Sequence, residues 1–255
     1  MKVLASEWVK IRSIRSSHLL VGLSLGAILL AVAVAFSAIG MYDSAPASMR
    51  RSARIAELEE VVLIVPQLCM GIMGVLTITS EYATGLIRTS LALVPRRWPV
   101  LMAKSAVVGG LGLVVGPIVV FVTYAMAKAM LESRYPVASF GERFPTLVTS
   151  SVTVAVFALI GLGLGAAFRS AAGAIAVLVG LVYVIPIVVG NLPEPWSERL
   201  GSVMIGALPR EISGADLTSS VYGALLPPVV AGVVLALYAV VPLLAGALLL
   251  RRRDA

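Results

Sequence analysis

Ionisable and nucleophilic side chains are scarce in this chain, and their types and spacing limit the chemistry open to it. A hydrolase or transferase needs a nucleophile beside a base, paired carboxylates, or a cluster of metal ligands. The 255 residues hold one histidine, His18, and one cysteine, Cys69, far apart in sequence. His18 has no second His or Cys nearby, so it reads as a snorkelling residue at a membrane boundary rather than a ligand. Cys69 cannot close an internal disulfide. An ATP-binding loop of the form G-x-x-x-x-G-K-[ST] is missing, because the four lysines, Lys2, Lys10, Lys104 and Lys128, do not follow glycine in that pattern. The chain is therefore expected to be no enzyme and to bind no metal or cofactor.

Two groups of polar residues remain. Gln67, Thr77, Thr123, Tyr124, Thr153 and Tyr183 lie inside apolar runs, where hydroxyls and an amide either line a route for an amphiphilic solute or pair with nearby backbone. The second group is the segment 80–99, SEYATGLIRTSLALVPRRWP. Wound as a helix, it puts Ala83, Ile87, Leu91 and Val94 on one side and Glu81, Thr84 and Arg88 at i, i+3 and i+7 on another. Pro95 ends it, Arg96, Arg97 and Trp98 reach headgroup level, and Pro99 opens the next run. Periodicity predicts a short amphipathic helix over 81–94 whose charged side faces water or a partner. A plain membrane-surface loop is the other reading.

The elements that must position these residues are membrane spans. Apolar residues make up 59% and charged ones 13%, against about 45–50% and about 25% in soluble domains. A bilayer core about 30 Å thick takes about 20 apolar residues of helix. Six runs qualify: 19–39, 61–79, 105–127, 147–168, 171–190 and 225–250. Gly116-Pro117 is expected to kink the third, and the first is too long for a cleaved signal core. The expected fold is an all-α integral membrane bundle, with residues 18–255 forming one six-span domain.

Lys and Arg set the orientation. With the amino terminus inside, the inner segments carry 12 of the 20 basic residues and 3 of the 13 acids, a balance of +9. The outer loops hold 8 basic residues and 10 acids, a balance of −2, so both termini are expected in the cytoplasm. The formal charge of +7 thus describes topology and not nucleic-acid binding.

Residues 1–17 read as an amphipathic helix on the membrane surface. Leu4, Trp8, Ile11 and Arg15 follow one stripe, and Lys10, Arg12 and Arg15 are within reach of lipid phosphates. Arg54 and Glu57, at i and i+3, predict a helical extension of the second span into water. Residues 191–224 predict one or two short outer helices, with Trp196, Leu200 and Met204 as an outer gate. Gly22-x-x-x-Gly26, Gly112-x-x-x-Gly116 and Gly161-x-x-x-Gly165 allow close helix approach, more often within a chain than between chains.

Glu81, Tyr82, Gly85, Ile87-Arg88-Thr89, Pro95 and Arg97, set between the second and third of six spans, resemble the cytoplasmic loop of ABC-2 type transporter permeases, the membrane subunits of bacterial ABC exporters. The opening Ser6-Glu7-Trp8-x-Lys10-x-Arg12-Ser13-x-Arg15-Ser16 is similar to the actinobacterial branch, and Leu86 departs from the Thr that often follows the glycine. The resemblance implies a coupling helix docking into a separate ATPase. Glu81, Tyr82, Thr84, Arg88 and Arg97 would belong to that interface, Gly85 would permit close approach, and Pro95 would fix the angle into the third span. It further implies two ATP-binding subunits that carry ATP and Mg, a second permease, the same or related, and a place in the bacterial cytoplasmic membrane. The implied activity is export of a hydrophobic or amphiphilic solute such as a drug, peptide or lipid. The leading alternative, an ion-coupled secondary carrier, would place ionisable residues inside the spans, and Lys104, Lys128 and Arg169 read as edge groups.

Overall fold

The computed structural model describes residues 2–50, 57–85, 97–214 and 226–252, and among them every regular element is helical. Helix α1 (Lys2–Ser13) passes through one extended residue, Ile14 (φ −91°, ψ 125°), into α2 (Arg15–Ser44), followed by the short α3 (Ala47–Arg50). Helices α4 (Leu58–Val62) and α5 (Ile64–Ala83) form one span interrupted at Leu63. Pro66 explains the interruption, since it has no N–H for the Val62 carbonyl and falls in the first turn of α5, where that loss is tolerated. Helix α6 (Arg97–Leu131) is continuous through Pro117. Ser139 and Glu142 form a capping box that starts α7 (Phe140–Phe168), and left-handed Arg169 (φ 55°) ends it.

Next come α8 (Ala171–Val179) and α9 (Ile185–Gly190), joined by a π-helical turn at Gly180–Val184. Pro186 cannot donate to Val182, and the Ile185 N–H reaches back five residues to Gly180, which widens the turn. Two short helices, α10 (Trp196–Ser202) and α11 (Leu208–Ser213), precede α12 (Pro228–Arg252). Six of the described helical stretches are long and apolar enough to cross a membrane, so the chain is an all-α, multi-pass bundle.

The helices outrun the apolar runs that announced them. α2 begins at Arg15 and not near Leu19, and α7 begins seven residues before Leu147, which brings Arg143 into a spanning helix. The expected extension of the second span stops at Leu58, because Glu57 is an extended N-cap (φ −63°, ψ 111°); Arg54 lies outside the described residues.

Helix α7 is the hub. In its most apolar stretch 72% of residues are buried, against 17% for the α8–α9 span. α7 packs against α5 at a backbone-to-backbone approach, where a Cβ on Gly161 would collide with the Gly71 carbonyl. Gly116 of α6 meets the Ser151 carbonyl of α7 in the same way. Two of the three small-residue motifs therefore serve internal packing, whereas Gly22 and Gly26 on α2 meet nothing within 4 Å.

Candidate functional site

Four charges converge where α1, the end of α5 and the start of α6 meet. Glu7 and Lys10 share one face of α1, Glu81 lies in the last turn of α5, and Lys104 sits seven residues beyond the start of α6. Lys104 is 1% exposed, and its ammonium has three acceptors: Glu7 Oε2 at 2.6 Å, Glu81 Oε1 at 2.8 Å and the Thr77 carbonyl at 3.3 Å. Lys10 donates to Glu7 Oε1 at 2.7 Å and Glu81 Oε1 at 2.8 Å. Two carboxylates and two ammonium groups balance, which is the condition for holding charge in so dry a place. Partial burial pulls the Lys10 pKa down, but the bonds to Glu7 and Glu81 outweigh it and hold the ammonium above the ordinary 10.5. Glu81 Oε2 is buried without a hydrogen-bond partner among the described residues.

This geometry revises several expectations. Glu81 does not point to water or outward to a partner; it closes an internal ion pair, because the α5 helix continues to Ala83 and turns its last carboxylate toward Lys104. A continuous helix over 81–94 is also replaced, since α5 ends, Thr84 caps it, and Gly85 (φ 71°) turns the chain. Arg88 and Pro95 lie outside the described residues, as does the rest of 86–96; Arg97 opens α6. Tyr82 carries the Arg169 guanidinium 5.1 Å above its ring, tying the α7–α8 turn to the same end of the bundle.

Lys104 lies near the start of α6 but is buried and paired there, where a solvated edge group was expected. Lys10 turns inward and not to lipid phosphate, and Arg15 belongs to α2 because the chain breaks at Ile14. Ile11 is buried at 5%, whereas Leu4 and Trp8 of the expected stripe remain exposed, as do Arg12 and Arg15. The amphipathic segment thus presents one side to the bundle and another outward. His18 Nε2 lies 2.7 Å from the Arg12 carbonyl and bridges the break between α1 and α2.

A second set of charges occupies the opposite end. Arg143 of α7 bonds Glu59 at 2.8 Å and Glu60 at 3.1 Å and lies 3.5 Å from Glu57, while Arg210 of α11 clasps Glu60. Burial pushes the Glu57 carboxyl above its ordinary value despite the nearby Arg143. Below the Arg210–Glu60 pair is a cavity of about 210 Å³, lined on one side by Glu60, Leu63, Ile64 and Gln67, one face of the second span. Met204 reaches this cavity; Trp196 and Leu200 are exposed and do not line it.

Of the other pathway residues, Gln67 bonds Thr153 at 2.8 Å, and Thr153 in turn bonds the Ser150 carbonyl. Thr77 bonds the Met73 carbonyl and Tyr124 the Ala138 carbonyl, so these hydroxyls are occupied locally. Thr123 is fully buried with its hydroxyl unpartnered among the described residues, and Tyr183 sits half-buried in the π turn. Only Gln67 among the six borders the cavity.

Sequence reasoning missed the cluster because Glu7 and Lys104 were weighed as topology signals. The i, i+3 pairing of Glu7 with Lys10 on one face of α1 is the clue the sequence offers. Compared with protein-family models and with curated proteins, the chain matches none.

Proposed function

We propose that this chain is the permease subunit of an ATP-driven exporter, resembling the ABC-2 type, in which a separate ATPase with its ATP and Mg works through the loop after α5. The observation that carries the reading is the four-charge cluster. It fastens the last turn before that loop to α6 and α1, so a push on the loop would move three helices as one body. Glu81 then acts as an internal coupling residue, and Arg88 as a docking residue for the ATPase. The open Gly22–Gly26 face of α2 supports a second permease copy packing there. Transport of a hydrophobic or amphiphilic solute across the bacterial cytoplasmic membrane follows from the same reading, with both termini inside.

The experiment separates docking from coupling. Arg88→Ala should lose co-purification with the ATPase, whereas Glu81→Gln should keep the ATPase bound and lose vanadate-sensitive transport. Vanadate-sensitive transport that survives both substitutions overturns the reading. Cysteines at Ser44, Ser139 and Ser213 should be modified only from outside the cell.

The buried Lys104 and Glu81 also favour a second reading, an ion-coupled carrier, since ionisable groups inside spanning helices often mark proton routes. Their position near helix ends, away from the midplane where such carriers bind, weighs against it. Transport that collapses with a protonophore but survives ATP depletion would select it.

A further inference from the structure

Between α1 and α6 is an open apolar wedge of about 590 Å³, lined by Leu4, Ala5 and Trp8 on one side and chiefly by Ala106, Gly110 and Val114 on the other. The three α6 residues recur at i, i+4 and i+8, so the wedge follows the helix for about 12 Å at about 1.5 Å per residue. α6 is long and apolar enough to span a membrane, which suits this outward apolar surface to hydrocarbon. The wedge differs from an ordinary lipid-facing surface in the charge beside it. Arg12 lies four residues from Trp8 and seven from Ala5, on the same side of α1, and Arg15 opens α2 just past the break. Both arginines are exposed, and neither guanidinium has an ion-pair partner among the described residues. Lys10, the other cation of this stretch, is committed to Glu7 and Glu81.

We infer that the wedge is a binding site for one acyl chain of an anionic phospholipid, whose phosphate is held by Arg12 and Arg15. The apolar lining supplies the chain's contacts, and the guanidiniums select the headgroup by charge-assisted hydrogen bonding. Each arginine is expected to favour an anionic over a zwitterionic headgroup about five-fold. This site does not depend on what the protein transports.

Trp8 reports on the site directly. Trp98→Phe and Trp196→Phe leave Trp8 alone of the three tryptophans. That full-length chain is placed in nanodiscs of equal phosphatidylglycerol and phosphatidylcholine, with brominated acyl chains on one lipid at a time. Brominated phosphatidylglycerol should quench Trp8 more strongly, with a relative affinity at least about five-fold higher. Adding Arg12→Gln and Arg15→Gln should erase the preference and leave the quenching by phosphatidylcholine. Gly110→Phe should fill the wedge and lower quenching by both lipids several-fold. A Cβ at Gly110 meets no atom within 4 Å, so the side chain starts into open space, and an unchanged melting temperature is the check that the variant folds. Equal quenching by the two lipids, a preference that survives loss of both arginines, or quenching untouched by Gly110→Phe would each overturn the inference.

Discussion

Substituting Lys104→Met keeps the length of a side chain that is 1% exposed and deletes its charge. Two carboxylates then lose a partner that stood 2.6 and 2.8 Å away, and both belong to residues no more than 5% exposed. Lys10 alone cannot compensate, because its side chain is 39% exposed and part of its interaction is screened. Breaking a buried ion pair from one side costs about 3–5 kcal/mol. At about 2–4 °C per kcal/mol for a chain of roughly this size, the melting temperature should fall by about 6–20 °C. Lys10→Met, at the exposed rim, should cost about 1 kcal/mol or less. The decisive comparison is Lys104→Met combined with Glu7→Gln and Glu81→Gln, which leaves no buried carboxylate unpaired and only the Lys10 ammonium at the exposed rim, where water solvates it, and should recover most of the loss. Thermal unfolding of the full-length protein in detergent, followed by loss of the monodisperse peak, measures all three. A fall of under about 3 °C for Lys104→Met, or no recovery in the triple variant, would refute an ion-paired cluster.

Gly161→Ala should destabilise by about 1–3 kcal/mol in the same assay, because its Cβ strikes the Gly71 backbone, whereas Gly22→Ala with Gly26→Ala should leave the melting temperature unchanged. Arg210→Ala removes the clasp on Glu60, and a cysteine placed at Met204 should then react with a water-soluble maleimide several-fold faster than in the chain that keeps Arg210. The Lys10 pKa is raised in the folded state, so its stabilising contribution is complete below the unfolded value of 10.5 and disappears as pH climbs through the folded value. Melting temperatures of the wild-type chain and Lys10→Met should therefore converge well above pH 10.5.

Much of the architecture was legible because membrane helices announce themselves by length and apolarity, and all six runs became helices. Helix ends were less legible. Arg15, Leu58 and Phe140 begin their helices outside the apolar runs, where composition turns polar but the backbone stays helical. The chemistry of the site was harder still. Lys104 reads as a boundary marker until the structure shows that α6 starts at Arg97 and carries it into the bundle, and Glu7 reads as one acid on a basic helix until α1 folds back onto α6. Amphipathic periodicity identified α1 but gave Ile11 and Lys10 to the membrane surface, whereas both turn into the bundle while Leu4 and Trp8 stay exposed. Pairings separated by 97 and 71 residues have no local signature. Gln67 and Thr153 were correctly singled out as polar, yet their mutual bond spans 86 residues and could not be paired by inspection.

The second span is held by charge near both of its ends, through Glu59 and Glu60 at one and Glu81 at the other. Helical phase therefore matters along its whole length. One inserted residue between these points would rotate Glu81 by about 100° and slide it about 1.5 Å, detaching it from Lys104 while Glu59 stayed in place. The residue count of this span is consequently as constrained as its packing, because adding or deleting a single residue would break the alignment of the two ends even where every side chain stayed apolar.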